Sequence, residues 1–485
     1  MENMIIVGGG TAGWMAASYF AENRPDINIT LIDKEVGTPI GVGEATVLDF
    51  KPFMDKCGIP QTEWMSFADA TFKSGIMFPG WKHKDNTVWH PFLAKVMFDQ
   101  YTQWDLWAMT QTDNFTESVL GMYDVSLHNK VDLQDLDCYA YHVDCSKLVQ
   151  LMKRRLENRI TFISSDVENV VKENTNITKL VLSNGQEVSG DLYIDCTGFK
   201  SILKTQDKVS LNDRLFCNTA IAGHVEYQDK GKEMRPYVIS EAVDHGWIWN
   251  IPVQSRIGTG LVFNRDITDI ETAKEYFVTH WNNRINKDNL KVINWDPYYI
   301  NNMWEGNVVS IGLSAGFIEP LESTGLALMR LGIEKIHDQI HHTLNVDEHS
   351  RNIFNSSMLK IYNENVDFVN MHYADTERTE PFWNYVKSKH RKSSMQLLLE
   401  EKLRTPDERI TIFTNNEAPG VQFHSSNWVL WLIQMNYPVN QHLDMPQEYA
   451  QDMIERFKIL EQVRTLRSID HNDAVTISKI PGGLR

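Results

Sequence analysis

"MIIVGGGTAGWMAASYF", residues 4–20, decides the fold. Four apolar residues of strand type, Met4–Val7, run into a glycine cluster and then into a segment of helix-forming residues. Gly8, Gly10 and Gly13 stand in GxGxxG spacing, and each answers a physical need. Gly8 allows the tight turn, Gly10 lets the backbone approach a pyrophosphate, and Gly13 lets helix and strand pack closely. The helix that follows, with Thr11 and Ala12 in its first turn, presents free N–H groups and the positive end of its dipole to phosphates. A second strand pattern, "NITLIDKE" at 28–35, ends at Asp33, 20 residues after Gly13. There a carboxylate can accept from a ribose hydroxyl. Strand, turn, helix and acid come in the required order, so the chain is expected to bind a dinucleotide.

The 485 residues are 42% hydrophobic, enough for a sizeable core divided among about three domain-sized masses. A formal net charge of −17 argues against nucleic acid or an anionic membrane as partner. The densest basic run, "KSKHRK" at 387–392, lies among helix-forming residues and reads as a solvated face. Five cysteines (Cys57, Cys138, Cys145, Cys196, Cys217) form no CxxC and fit a reducing cytoplasm. The first apolar run is broken by glycines and lacks a basic leader, and no stretch of 18 apolar residues occurs. Neither a cleavable signal nor a membrane span is expected.

Four further stretches carry chemistry. "GQEVSGDLYIDCTGFKS" (185–201) reads as a hairpin, a buried strand and a glycine turn, a pattern closer to FAD-containing monooxygenases than to NAD dehydrogenases. No second GxGxxG appears, so a dedicated NAD(P)H domain is not expected. "HGWIWNIPV" (245–253) reads as a strand with Trp247, Trp249 and Ile251 on one face and Pro252 at its end; on residue types alone it is a core strand. "PLESTGLALMRLGIEKIHDQI" (320–340) has Leu326, Met329, Ile333, Ile336 and Ile340 at helical spacing, which puts Ser323, Thr324 and Gly325 in the first turn. Free N–H groups there make an anion site, and an ordinary Ser/Thr cap would use the same groups. "TFKSGIMF" (71–78), read as one strand, sets Phe72, Ser74, Ile76 and Phe78 on one face and Lys73, Gly75 and Met77 on the other. Composition alone would send Lys73 to solvent.

Together these stretches resemble the flavin-dependent halogenases, typified by the tryptophan halogenases. The family's WxWxIP is matched by Trp247, Trp249, Ile251 and Pro252, and a second hallmark by Phe317, Pro320, Leu321, Ser323 and Gly325. "GVGEAT" (41–46) looks like its strap loop, and Lys73 falls where the family has its active-site lysine. "DFVNMHYADTERTEPFW" (367–383) is similar too, and the resemblance extends from residue 1 to about 390.

The resemblance implies an α/β fold, an FAD-dependent monooxygenase-like (Rossmann-type) core with an antiparallel cover sheet and a mostly helical C-terminal substrate region. The expected divisions are an FAD-binding domain at 1–345, with a substrate-side insertion near 90–135, and a helical region at 346–485. It implies an FADH2-dependent halogenase in which O2 and chloride, bromide or iodide give hypohalous acid. Lys73 and Glu322 then pass the halogen to an aromatic carbon. Gly8, Gly10, Thr11, Ala12, Gly13, Asp33, Glu44, Leu313 and Leu326 would hold FAD, and the backbone of Thr324 and Gly325 the halide. Trp247, Trp249, Pro252 and Ser323 would shape the site, while His90 and Phe92 would line the substrate. No metal is implied, and reduced flavin would come from a separate NAD(P)H-dependent flavin reductase. For Glu44 two readings stand, a bond to flavin-side groups or ordering of its own loop.

One stretch departs from the pattern. "TIFTNNEAPGVQFHSSNWVLW" (411–431) is shorter than the aromatic lid of tryptophan-specific members and lacks its paired tyrosines and Phe-Trp; Trp428 and Trp431 are out of register. An indole- or phenol-like aromatic is expected as substrate rather than free tryptophan. The alternatives are a flavin monooxygenase or oxidase without halogenation, which a missing Lys73 would have signalled, and a non-catalytic flavin-binding protein.

Overall fold

Met4–Val7 lie in a strand, Asn3–Val7, whose apolar run is buried because parallel strands flank it on both sides. The computed structural model describes residues 1–34, 43–92, 97–98, 101–110, 114–204, 208–341, 346–405, 422–440 and 445–483. Residues 41–42 of the strap stretch, 411–421 of the C-terminal stretch, and 93–96, 99–100 and 111–113 of the 90–135 stretch lie outside them. By contact the chain groups into two compact units, each assembled from three segments. One comprises 1–70, 143–212 and 296–363; the other comprises 71–142, 213–295 and 364–485.

The first unit is built on a six-stranded sheet. Its order is Thr161–Ser164, Asn28–Asp33, Asn3–Val7, Leu192–Asp195, Val308–Ser310, Trp304–Glu305, parallel except for the last strand. Ile5, Val7, Ile32 and Tyr193 pack with Leu180 and Leu182 of the neighbouring hairpin into one core. The helices Thr11–Asn23, Cys145–Leu156 and Thr324–His341 belong to the same unit. This is the Rossmann-like α/β core expected from residues 4–33.

The second unit carries a seven-stranded sheet in the order Lys291–Asn294, Thr219–Val225, Ile257–Phe263, Gly246–Pro252, Val238–Val243, Gly75–Pro79, Thr87–Pro91. It is antiparallel apart from the pairing of Val238–Val243 with Gly75–Pro79. Five helices, Pro381–Lys389, Ser394–Arg404, Ser425–Gln434, Gln447–Arg467 and His471–Ser478, complete the described C-terminal part. None of the described helices is long and apolar enough to cross a membrane.

The two tryptophans share a face, as their spacing requires, and the register explains why both fit. Trp247 lies opposite Val262 and Ala242, Trp249 opposite Gly260 and Ser240, and Ile251 opposite Gly258. Small neighbours leave a floor on which the indoles lie, with ring centroids 6.2 Å apart. The other face of the strand carries Ile248, which joins Leu261, Phe263, Ile257 and Phe277 in the aliphatic core. The tryptophans, 1% and 8% exposed, are buried on the opposite face from that cluster, as the reading from residue types alone expects.

The stretch 71–78 is not one strand. Thr71–Lys73 pairs with Ala140–Val143, and Gly75–Pro79 enters the large sheet. Between them Ser74 donates both its backbone N–H and its hydroxyl to the Pro236 carbonyl. That diversion lets the chain change partners.

Gly260 tests the floor beneath Trp249. A β-carbon there would lie 2.1 Å from the indole Cη2, with no left-handed backbone to blame. Overpacking of this kind costs about 1–3 kcal/mol. Gly260→Ala should therefore lower the unfolding free energy by that amount in urea titration, and an unchanged midpoint would show that the indole does not rest there.

Candidate active site

In the first unit the glycine turn is held by close approach. Gly8 has φ +107° and its N–H donates to the Ile32 carbonyl at 2.9 Å. A β-carbon on Gly8 would lie 2.3 Å from the Cys196 carbonyl oxygen, and one on Gly13 1.9 Å from that of Gly8. Gly10 differs: it caps the helix Thr11–Asn23, and a β-carbon on it would meet nothing within 4 Å. The space it opens onto, at a helix N-terminus, suits a pyrophosphate. Gly9, which the spacing rule passes over, is also constrained, since its β-carbon would come within 2.4 Å of Asp33 Oδ2. Asp33 thus stands beside the turn.

Three other elements converge on the same turn. Gly312, at φ +66°, packs so closely that a β-carbon would lie 2.9 Å from Ala12 Cβ, and this sets Leu313 beside the start of the helix. Tyr298 donates its hydroxyl proton to the Leu313 carbonyl at 2.5 Å. Glu44 hydrogen-bonds Cys145, which in turn hydrogen-bonds Thr11. Burial raises the Glu44 carboxyl above its ordinary range, against the lowering effect of that bond, and pushes the Cys145 thiol far up. The helix Thr324–His341 begins after Ser323, whose φ of +61° turns the chain sharply into it. Glu322 and Thr324 are buried, Leu326 packs inward, and Gly325 is exposed with open space about its α-carbon. The first N–H groups of this helix have no intrahelical acceptor. Gly8, Gly10, Thr11, Ala12, Gly13, Asp33 and, through Gly312 and Cys145, Leu313 and Glu44 lie about one turn, and the donors and open space at Gly10 fit a pyrophosphate.

In the second unit Lys73 is fully buried rather than solvated. Its amine lies 4.8 Å from the centroid of the Phe92 ring, a cation–π distance. Phe92 N–H donates to the Ser74 carbonyl at 3.1 Å, which fixes the ring beside the lysine. His90, opposite Ile76 in the adjoining strand pair, meets the Asn427 amide nitrogen at 2.9 Å through Nε2. An amide nitrogen only donates, so His90 Nε2 accepts. His90 also faces Phe368 and Phe423 at 5.7 and 6.5 Å. These two rings stack at 4.1 Å, with Trp428 5.2 Å from Phe368. Lys73, His90 and Phe92 are brought into one unit with an aromatic wall. Phe368, Phe423 and Asn427 were not singled out from the sequence, since nothing local marks residues that meet only in space. Trp249 Nε1 is buried without a hydrogen-bond partner among the described residues, an indole N–H aimed at no protein acceptor.

The chain is 29% identical over 423 residues to tryptophan 6-halogenase ThaL of Streptomyces albogriseolus, covering 79% of this chain and 78% of that protein. It is 30% identical over 427 residues to 7-chloro-L-tryptophan 6-halogenase KtzR of Kutzneria sp., covering 80% and 82%. The solved tryptophan halogenase of Shewanella frigidimarina superposes with a TM-score of 0.87 at 25% identity, over 99% of this chain and 98% of that one. The sequence pattern described as "Tryptophan halogenase" matches residues 3–451, and on that span, glycine turn and buried lysine included, the chain belongs to the tryptophan halogenase family of flavin-dependent enzymes.

Proposed function

We propose that the protein is an FADH2-dependent halogenase acting on an electron-rich aromatic, indole- or phenol-like, other than free tryptophan. In this reading a separate NAD(P)H-dependent reductase provides the reduced flavin. The observation that carries it is Lys73, a fully buried amine beside the Phe92 ring. A lysine loses several kcal/mol of hydration on burial, and a chain keeps one there for a task. When bound, reduced flavin supplies the electrons with which dioxygen and chloride, bromide or iodide give hypohalous acid. The remaining work falls to side chains. Lys73 Nζ binds the electrophilic halogen and holds it toward the aromatic carbon. Glu322, a buried carboxyl, takes the proton that the ring loses. The N–H groups of Thr324 and Gly325 hold halide, and Trp247, Trp249, Pro252 and Ser323 shape the surroundings. His90, Phe92, Phe368 and Phe423 offer flat apolar faces to an aromatic ring.

The relatives named for tryptophan or chlorotryptophan favour a second reading, free tryptophan as substrate. Against it stands the aromatic lid: the paired tyrosines and Phe-Trp of tryptophan-specific members are missing from 411–431. The Phe368–Phe423 pair provides stacking and no charge for an amino acid's ammonium and carboxylate.

Three outcomes test this reading. Gly10→Val should abolish FAD binding by calorimetry while the apoprotein still folds, its melting temperature lowered only by the loss of a favourable N-cap residue, about 0.5–2 kcal/mol. A β-carbon there meets no protein atom within 4 Å and the backbone is extended (φ −76°, ψ −172°), so retained affinity would remove the pyrophosphate from the turn. Lys73→Ala should cut halogenated product by about 10²–10⁴-fold while flavin reoxidation, followed by stopped-flow absorbance, keeps its rate. Lys73→Arg should fail similarly, because a guanidinium cannot take the lysine's part. Near wild-type product from the alanine variant would dismiss Lys73 as the halogen carrier. Finally, mass spectrometry of an aromatic library with separate chloride, bromide and iodide should rank simple indoles or phenols above tryptophan, and efficient regioselective halogenation of tryptophan would favour the second reading.

A further inference from the structure

His142 lies on the ladder that carries Lys73. The strand Thr71–Lys73 pairs antiparallel with Ala140–Val143, with Thr71 opposite His142 and Lys73 opposite Ala140. Residues directly opposite share a face, so Thr71, Lys73, Ala140 and His142 line one side of the ladder. Thr71, Lys73 and His142 are all fully buried, and Lys73 and His142 are diagonal neighbours on that face, with Thr71 and Ala140 at the other two corners.

The tautomer of His142 follows from its neighbours. The Thr71 hydroxyl has one proton and donates it to the Pro252 carbonyl at 2.6 Å. The same oxygen is 2.7 Å from His142 Nδ1, so it accepts there and Nδ1 carries a hydrogen. Burial keeps the imidazole neutral, and the charge of Lys73 and the nearby His471 act in the same direction. Nε2 is then a bare lone pair, without a hydrogen-bond partner among the described residues. His471 is the contrast. It is also buried and neutral, pushed down to about 4 by burial, and its Nδ1 donates to the Met234 carbonyl at 2.8 Å. Its Nε2, however, is used: it accepts the Phe72 backbone N–H at 3.2 Å. Of two neutral imidazoles beside one strand, only His142 leaves its acceptor unspent, and a buried unpaired acceptor costs about 1–3 kcal/mol.

We propose that His142 is a positioning residue for Lys73: the Pro252–Thr71–Nδ1 chain holds its Nε2 as an open acceptor on the lysine's face of the ladder, and in the FAD- and substrate-loaded enzyme the lysine Nζ hydrogen-bonds to it and is held in place. The proposal rests on the halogenase reading only for its effect on turnover. The same relay ties the lysine to Pro252, the end of the tryptophan strand.

The test separates the two nitrogens. His142→Asn keeps an amide N–H on the Thr71 side and removes the acceptor at Nε2; His142→Gln places an amide near Nε2. Two quantities are read with the FAD-loaded enzyme: turnover of an indole substrate, and the pH midpoint of Lys73 carbamylation by cyanate, measured by peptide mass spectrometry. An acceptor hydrogen-bonded to an ammonium favours the charged form, so His142→Asn should lower the Lys73 midpoint by about one unit. It should also lower kcat by about 10²-fold with KM unchanged. His142→Gln should recover part of both. A wild-type midpoint or a wild-type kcat in His142→Asn overturns the proposal. A shifted midpoint in a protein that never halogenates supports positioning and sinks the halogenase reading instead. Should both variants fail to fold, Thr71→Val, which leaves His142 in place but frees Nδ1, is read by the same criteria.

Discussion

The nucleotide half of the structure depends on one steric constraint, the approach of backbone to backbone at the Gly8–Gly13 turn. The Cys196 carbonyl occupies the place where a Gly8 side chain would begin, and the Gly8 carbonyl does the same at Gly13. Neither position could carry alanine without moving the helix Thr11–Asn23 off the sheet. Because the helix sits that close, Ala12 reaches the Gly312 turn and Thr11 reaches Cys145 and through it Glu44. Three elements far apart in the chain are thus registered on one helix terminus. The turn glycines therefore divide by role: Gly8 and Gly13 serve packing, and Gly10 alone faces open space.

The second unit relies on the same device in a sheet. Trp249 can lie flat because Gly260 across the ladder has no side chain, and Trp247 because its neighbours include Ala242. Two large rings on one side are balanced by an ordinary aliphatic core on the other. Both faces of the strand are thereby packed, the indoles on one and the aliphatic cluster on the other. Within that indole face Trp249 Nε1 is buried without a hydrogen-bond partner among the described residues. Charge in this unit is handled by hydrogen bonding. His90 and His471 each have one ring nitrogen whose role is set by a neighbour of fixed polarity, an amide nitrogen or a carbonyl oxygen, and that of His142 is set through the Thr71 hydroxyl by the Pro252 carbonyl. Burial disfavours the cations of His142 and His471.

What could be read in the sequence was what is local in it. The strand, turn and helix of residues 4–20 and the strand ending at Asp33 follow from adjacent residues obeying fixed periods, as does the helix from Thr324. The parallel pairing of Asn3–Val7 with Asn28–Asp33 is what a strand–turn–helix–strand unit of this kind produces. The fate of Lys73 could not be read that way, because its burial depends on a partner strand at 140–143 and on a break at Ser74 made by the Pro236 carbonyl. Neither leaves a mark within the eight residues around the lysine, and only family resemblance pointed inward. The tryptophans show the limit from the other side. Their shared face is a consequence of alternation, yet whether that face is core depends on which residues lie across the ladder. Gly258 and Gly260 stand in an unremarked stretch, "RIGTGLVF", and acquire meaning only when paired with Ile251 and Trp249. A motif read along the chain names the residues that do chemistry; the residues that make room for them are named by register.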